Sequence, residues 1–403
     1  MSVAIIVDTF PRWSERFIAR ELNELQRRGL DFTIYCLKAG DSDCENDPEF
    51  AGLISRRVVL PSCFLPSFAR ELGMDDAAKE RMRLVEKELG LTAFRQIGCA
   101  DSLTKIIREH GHKIVYAHFA SLPSTLGWLA AEALRLPLVI SCHAQDVFGE
   151  GKSFGTRLQA ARRIFACNKS AASCIDDYFW QYFEDQPSKL TFMPHGLPLE
   201  FYPYSPRADR LLHRKEVRLL AAGRFVPKKG FEILVDALAL PELASMDVHL
   251  TLLGDGSKRA ALVRRITQHD LASRVSLPGV VLDSELKMHF NSSDIFVMPS
   301  VPTHGGDRDG LPNVILEAFA IGLPVIGTNA GSLSDALNKE TGFVAESDAS
   351  ESVTAKSLAV AIREAITEPH SARKKAETAR AVVEERYDIR KNIEPLFKEL
   401  TTP

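Results

Sequence analysis

Residues Thr303–Asn329 read THGGDRDGLPNVILEAFAIGLPVIGTN, and their succession of loop, helix, turn and buried strand decides what kind of fold the chain builds. Gly305, Gly306 and Gly310 surround Asp307, Arg308 and Asp309, so the loop bends close to a ligand at little steric cost. Leu311 and Pro312 open a helix. Proline suits the first helical position, and the free amides of Asn313 and Val314 give that end an anion-binding character. Glu317 follows among Ile315, Leu316, Ala318 and Phe319. A carboxylate with such neighbours pairs with something or binds something, because burying it bare is expensive. Gly322, Leu323 and Pro324 end the helix, and Val325–Gly327 is a short buried strand.

Upstream of this stretch the same plan repeats. Arg218–Ala222 starts a βαβ series, giving Gly223, Arg224 and a helix from about Gly230 to Leu240. Val248–Leu253 is the next strand, and Gly254, Asp255 and Gly256 form a tight turn into a helix that runs to Gln268. Val275–Leu277, Ile295–Pro299 and Phe343–Val344 are further short strands, Ala355–Tyr387 is helical, and Arg390–Leu400 is a terminal helix. In open α/β sheets ligands bind at the carboxyl edge of the strands, where these glycine-rich loops collect.

The first half is a second series of the same kind. Val3–Val7 is a strand, the loop DTFPRWSERF follows, and a helix runs from Glu15 to Arg28 into a strand at Asp31–Leu37. In that loop Ser14 is either an N-cap with Glu15 in a solvated first turn, or both contact a ligand. Lys113–Ala117 and Leu138–Ser141 are strands that deliver His118 and His143 to one sheet edge, with Leu122–Leu134 a helix between them. A lone histidine is more often structural than catalytic, but SCHAQDVF at a strand end favours a functional His143, with Asp146 placed to orient it. Ile164–Cys167 and Leu190–Met193 complete the strands, and MPHGLPLEFYP, without helical or strand period, marks a hinge. The expected organisation is an α/β chain of two doubly wound, Rossmann-like domains facing across a cleft: 1–200, a hinge at 201–215, 216–388, and a last helix at 389–403 that crosses back to the first domain.

Composition bounds the function. A chain of 403 residues, 45% apolar, is long enough for two cores. Net charge is −3 with acids and bases nearly balanced in both halves, so neither half carries the basic excess of a nucleic-acid binder. The seven cysteines, at 36, 44, 63, 99, 142, 167 and 174, form no C-x-x-C pair. Their pattern suits reduced thiols in the cytoplasm better than a disulfide framework or a zinc site. No apolar run reaches transmembrane length. The stretch Pro66–Glu109, with Phe64, Leu65 and Phe68 beside it, reads either as a solvated helix face or as a peripheral contact with an anionic membrane surface at its inner face.

The loops also sort among chemistries. A dinucleotide fold wants G-x-G-x-x-G after the first strand of a domain, yet the two opening loops are DTFPRW and GRFVPKKG, and Arg259 stands where a third glycine would follow Gly254 and Gly256. No P-loop occurs. Arg224 and Lys229 instead flank a loop at a strand's carboxyl end, near the helix start at Asn313, an arrangement that holds a diphosphate and stabilises charge as it leaves. Lys228 and Lys229 alone would read as a solvated turn.

GRFVPKKG, LLGDGS, LPGVV with DIFVMPS, and DGLPNVILEAFAIGLPVIGT, together with FPRWSERFI, SCHAQDVF and MPHGLPLEFY, resemble the family-4 retaining glycosyltransferases of the two-Rossmann-domain B-type fold, GT-B. The bacterial exopolysaccharide and colanic-acid-like branch is the nearest in flavour. The resemblance implies that Arg224 and Lys229 grip a donor's diphosphate. Glu317 would bind the ribose hydroxyls, and Gly254 and the backbone of Leu311, Asn313 and Val314 would approach the phosphate. Val280 would lie by the base. Asp309 stands where the family usually has a glutamate that touches the sugar. His143 would face the sugar, and Ser14, Glu15 and His118 would line the acceptor side. The implied reaction is transfer from a nucleotide diphosphate sugar, UDP being the commonest choice, to a hydroxyl of a glycan or lipid-linked glycan, with retention and without a metal or other cofactor. Asp309 and Glu317 also resemble a glycosidase pair, but the cationic clamp argues for a phosphate leaving group. Two rivals share the architecture: a nucleotide-sugar epimerase, which needs no acceptor, and a catalytically silent nucleotide-sugar binder, hinted at by the shortened Asp309.

Overall fold

The computed structural model describes residues 2–60, 94–143, 146, 155–182, 189–213, 215–303, 305 and 308–402. Its first strand, β1 (Ser2–Phe10), points Val3, Ile5 and Val7 into one apolar cluster and Ala4 and Ile6 into another. Successive side chains alternate across a strand, so a strand buried on both faces is apolar at nearly every position, as in parallel sheets covered by helices. β2 (Asp31–Ala39), β3 (Arg57–Val59), β4 (Ile114–His118), β5 (Leu138–Cys142), β6 (Arg163–Ala166) and β7 (Leu190–Phe192) join it in a parallel sheet of order β3-β2-β1-β4-β5-β6-β7. Helices Arg16–Arg27, Leu122–Leu134 and Lys169–Tyr182 connect successive strands. The order reverses between β1 and β4, where Val3 pairs with Ile114.

The second sheet is built the same way. β8 (Glu216–Ala222) sends Val217, Leu219 and Ala221 to one cluster and Leu220 and Ala222 to the other. With β9 (Asp247–Leu253), β10 (Val275–Gly279), β11 (Ile295–Met298), β12 (Val325–Thr328) and β13 (Phe343–Ala345) it forms a parallel sheet of order β10-β9-β8-β11-β12-β13, reversing between β8 and β11.

The chain divides into two compact units, Met1–His195 with Asn392–Pro403, and Gly196–Lys391. The described residues of 201–215, expected as a hinge, belong to the second unit. Tyr202, Ala208 and Leu211 are buried in its cores, and the Ser205 and Arg207 amides donate to the carbonyls of Ile321 and Gly322. Aromatic and aliphatic side chains there find apolar partners that their lack of period concealed. The segment Ala355–Tyr387, expected as one helical region, is two helices, Glu351–Thr367 and Pro369–Arg386. Proline disfavours helical geometry at the residue before it, and Glu368, preceding Pro369, has φ −120° and ψ 61°. At the C-terminus Ile393, Leu396 and Leu400 enter the same cluster as Val3 and Ile5. Of the stretch read as a membrane contact, residues 61–93 lie outside the described residues, and Phe94–Glu109 is a helix that buries Leu103 and Ile107. Among the described residues no helix is long and apolar enough to cross a membrane.

Candidate functional site

In the second unit the site residues come from the loops that leave β8 and β11, the two strands flanking the reversal of strand order, where an open sheet leaves a crevice at its carboxyl edge. The loop after β8 carries Arg224 and Lys229. Gly230, with φ +63°, ends its short 3-10 turn, and a Cβ there would run into the Pro299 carbonyl oxygen beyond β11. The Val301 amide also donates to the Lys228 carbonyl, at 2.9 Å. Backbone contact therefore ties the lysine loop to the segment that leads to Asp309.

The consequence is an ion pair. Lys229 Nζ lies 3.0 Å from Asp309 Oδ2, both side chains nearly out of solvent, and Ser300 Oγ donates to the same oxygen at 2.6 Å. Ser300 is fixed in turn by the Thr328 hydroxyl, which donates to its carbonyl. Gly331, with φ +61°, lets the chain pass close to the Asp309 carbonyl, which accepts from the Ser332 amide at 3.1 Å. A charged, hydrogen-bonded pair of this kind is in position before a ligand arrives. Arg224 is exposed, and among the described residues no ion pair holds it.

The expected loop–helix junction forms at Asn313–Ile321, with Pro312 as its N-cap and no side chain capping the first turn. Amides at such an end carry partial positive charge. Leu311 and Val314 pack against the core of this unit, and Glu317 is buried at 3% exposure on the same helix. Gly254, with φ +131°, lies so close to the Gly223 carbonyl that no side chain fits between them, and its amide donates to Gly279 at 2.7 Å. Val280, next in the chain, is 60% exposed.

In the first unit the histidines do arrive at one edge. His118 ends β4 fully buried, with Nε2 3.1 Å from Glu21 Oε1, an oxygen that accepts from the Tyr116 hydroxyl at 2.8 Å. His143 follows β5; its amide donates to Asp146 Oδ2 at 2.8 Å, and its Nδ1 stands 3.8 Å from that oxygen. The two rings lie 6.0 Å apart. Burial holds the His143 imidazole below its ordinary pKa against the opposing pull of Asp146, so it is neutral near pH 7. Ser14 is exposed in the turn Trp13–Glu15 and caps nothing, since the helix that follows starts after Glu15 without a side-chain cap. Burial raises the Glu15 carboxyl, partly offset by Arg12, whose Nη1 donates to it at 3.0 Å.

Four side chains that lie against the predicted ones were not singled out from the sequence. His195, read as part of a hinge, stacks on His143 with ring centroids 5.2 Å apart and on Phe17 at 4.2 Å. Cys167, Glu21 and Ser300 were passed over as a thiol, a helix charge and a strand end. One signal was available: β4 ends in histidine, and β5, β6 and β7 are each followed within three residues by histidine or cysteine.

A protein with two doubly wound sheets, each carrying charged or polar side chains at the reversal of strand order, is of the class whose ligands bind at the carboxyl edge of the strands. Residues 14–201 match the model for Glycosyltransferase Family 4 and residues 216–367 the model for Glycosyl transferases group 1. The chain belongs to these glycosyltransferases, with the GT-B pair of Rossmann-like domains. It is 29% identical over 165 residues to the amylovoran biosynthesis glycosyltransferase AmsK of Erwinia amylovora, a match spanning 40% of either chain. It is 26% identical to a GDP-mannose-dependent alpha-(1-6)-phosphatidylinositol monomannoside mannosyltransferase of Mycobacterium tuberculosis, over 74% of this chain and 80% of that one. Among solved structures, Anabaena Alr3699/HepE in complex with UDP matches over the full length of both chains with a TM-score of 0.72 at 17% identity, a likeness of fold.

Proposed function

We propose that the protein is a retaining glycosyltransferase that moves a sugar from a nucleotide diphosphate sugar to a hydroxyl of a glycan or lipid-linked glycan, in the cytoplasm and without a metal. The observation that carries this is the Lys229–Asp309 pair, 3.0 Å apart where the strand order reverses, with Arg224 and the uncapped helix end at Asn313. Lys229, Arg224 and the amides of Asn313 and Val314 hold the diphosphate and stabilise the charge that builds on its leaving oxygen. Asp309 positions Lys229 and accepts from sugar hydroxyls. Glu317, buried at 3% exposure on the helix that starts at Asn313, takes the ribose hydroxyls. His143, neutral near pH 7, hydrogen-bonds the sugar. The acceptor oxygen bonds to the anomeric carbon as the bond to the phosphate oxygen breaks, and the acceptor's proton passes to the departing phosphate. The mycobacterial relative is GDP-mannose-dependent and the Anabaena structure holds UDP; UDP is our first choice of donor nucleotide and GDP the second.

Thermal unfolding with UDP, GDP, ADP and their sugars tests the reading. A nucleotide at about a hundred times its Kd adds about 2.7 kcal/mol to stability by mass action, and Arg224→Ala and Glu317→Gln should remove the shift. If no nucleotide raises the melting temperature of the parent, the donor site is wrongly assigned. A shift without sugar transfer to any acceptor would identify a silent binder instead, and conversion of the donor without an acceptor an epimerase.

A further inference from the structure

The histidine edge of the first unit holds two further side chains, Cys167 and His195, that sugar transfer does not use. β5, β6 and β7 are neighbours in the sheet, and the residues following them bring His143, Cys167 and His195 together, each with a ligand atom within 4.8 Å of the others. We propose that these three side chains form a site for zinc or a similarly soft cation, with a fourth position open to water or ligand.

Several features point the same way. His143 is buried, and neither of its ring nitrogens has a hydrogen-bond partner among the described residues, although buried polar atoms are nearly always partnered. Asp146 Oδ2 stands 3.8 Å from His143 Nδ1, beyond hydrogen-bond distance but on the side from which a carboxylate orients a metal-ligating ring and leaves Nε2 to bind. Asn168 donates from Nδ2 to Cys167 Sγ at 3.5 Å, which favours the thiolate, and its own Oδ1 is held by the Ala171 amide at 2.8 Å. Arg20, the cation that acts on His195, is paired with Glu49 at 2.6 Å.

Two nitrogens and a thiolate suit zinc, which takes bonds of about 2.0–2.3 Å in tetrahedral sites with ligand atoms about 3.5 Å apart. The present spacing needs closure by roughly 1 Å to meet that geometry, within reach of side-chain rotation at the half-buried Cys167 and His195. Binding displaces the Cys167 thiol proton to the buffer. Because the proposed function assigns His143 to the sugar, zinc here also blocks transfer; that consequence rests on the proposed function, whereas the site does not.

Binding is read on the nucleotide-free full chain by dialysis against Zn²⁺ and by visible absorption with Co²⁺. One equivalent and a thiolate-to-cobalt charge-transfer band are expected in the parent. Cys167→Ser, folded as judged by circular dichroism and with basal activity retained, should lose the band and bind zinc more weakly by at least the tenfold to hundredfold, roughly, that a lost outer-shell partner costs. Cys167→Ala should behave alike. Less than one equivalent in the parent, or equal affinity in Cys167→Ser, overturns the proposal. Zinc bound through Cys167 with transfer undiminished would uphold the site and overturn the role given to His143.

Discussion

Lys229 and Asp309 hold each other with Ser300 as a third partner, so their environment predicts two separable effects of breaking the set. Lys229→Met leaves a nearly buried carboxylate with one hydroxyl donor. Loss of a hydrogen bond to a charged group costs about 1.5–3 kcal/mol, a fall of several degrees in melting temperature. It also removes a fixed cation from the leaving phosphate, for which kcat/KM should drop by about 10²–10³. Calorimetry and steady-state kinetics read the two, and a variant with parental kcat/KM would refute the clamp. A second residue sets pH dependence. His112 accepts or donates at both ring nitrogens, to Ser2 at 2.8 Å and Tyr35 at 2.9 Å, and burial pushes its pKa down to about 4. Below about pH 6.5 the unfolded chain takes up a proton that the folded one refuses, so stability falls as pH drops from there to about 4. His143 and His195, also lowered, act in the same direction. Melting temperature followed between about pH 7 and pH 4.5 should decline, and less steeply in His112→Asn; an equal slope in the two proteins would exclude His112 as a source.

Among elements, the strand-to-helix turns carry the site, and their glycines show how. Gly254 has φ +131° and a Gly223 carbonyl where a Cβ would stand, whereas Gly29, with φ +83°, has nothing within 4 Å. Gly29→Ala should cost only the backbone penalty of a left-handed residue, about 1–2 kcal/mol, and leave nucleotide affinity unchanged. Gly254→Ala adds a collision that pushes the turns after β8 and β9 apart, with a larger loss of stability and a weaker nucleotide shift. Equal behaviour of the two variants would mean that close approach of these turns is not needed. Much at this scale was legible beforehand. The helix Leu122–Leu134 and the GDG turn were readable because apolar period, proline and glycine act over a few residues. The break at Pro369 was missed because the periodic pattern continues across it.

For the whole molecule, the last residues matter more than their position suggests. Ile393, Leu396 and Leu400 are buried with β1 in the first unit, Glu394 pairs with Arg28, and Glu399 with Arg162 at 2.5 Å. Each apolar side chain contributes about 2 kcal/mol by burial, so a chain ending at Lys391 should lose most of the stability margin of its first unit. Calorimetry should then show an early transition, with the later one still raised by nucleotide; a single parental transition would show that the segment is dispensable.

The sequence by itself determined two doubly wound parallel sheets and the loops that carry Arg224, Lys229, Asp309, Glu317, His118 and His143. Strand and helix period, and glycine at turns, are local properties, and the order of apolar runs fixes which loops share an edge. Only the tertiary structure decided that Ser300 and Lys229 converge on one oxygen of Asp309, that the described residues of 201–215 belong to the second unit, and that Cys167 and His195 come to His143. Apart from Ser300 and Asp309, nine residues apart, those partners lie tens of residues apart, and their meeting depends on strand register and side-chain packing, to which no local pattern corresponds.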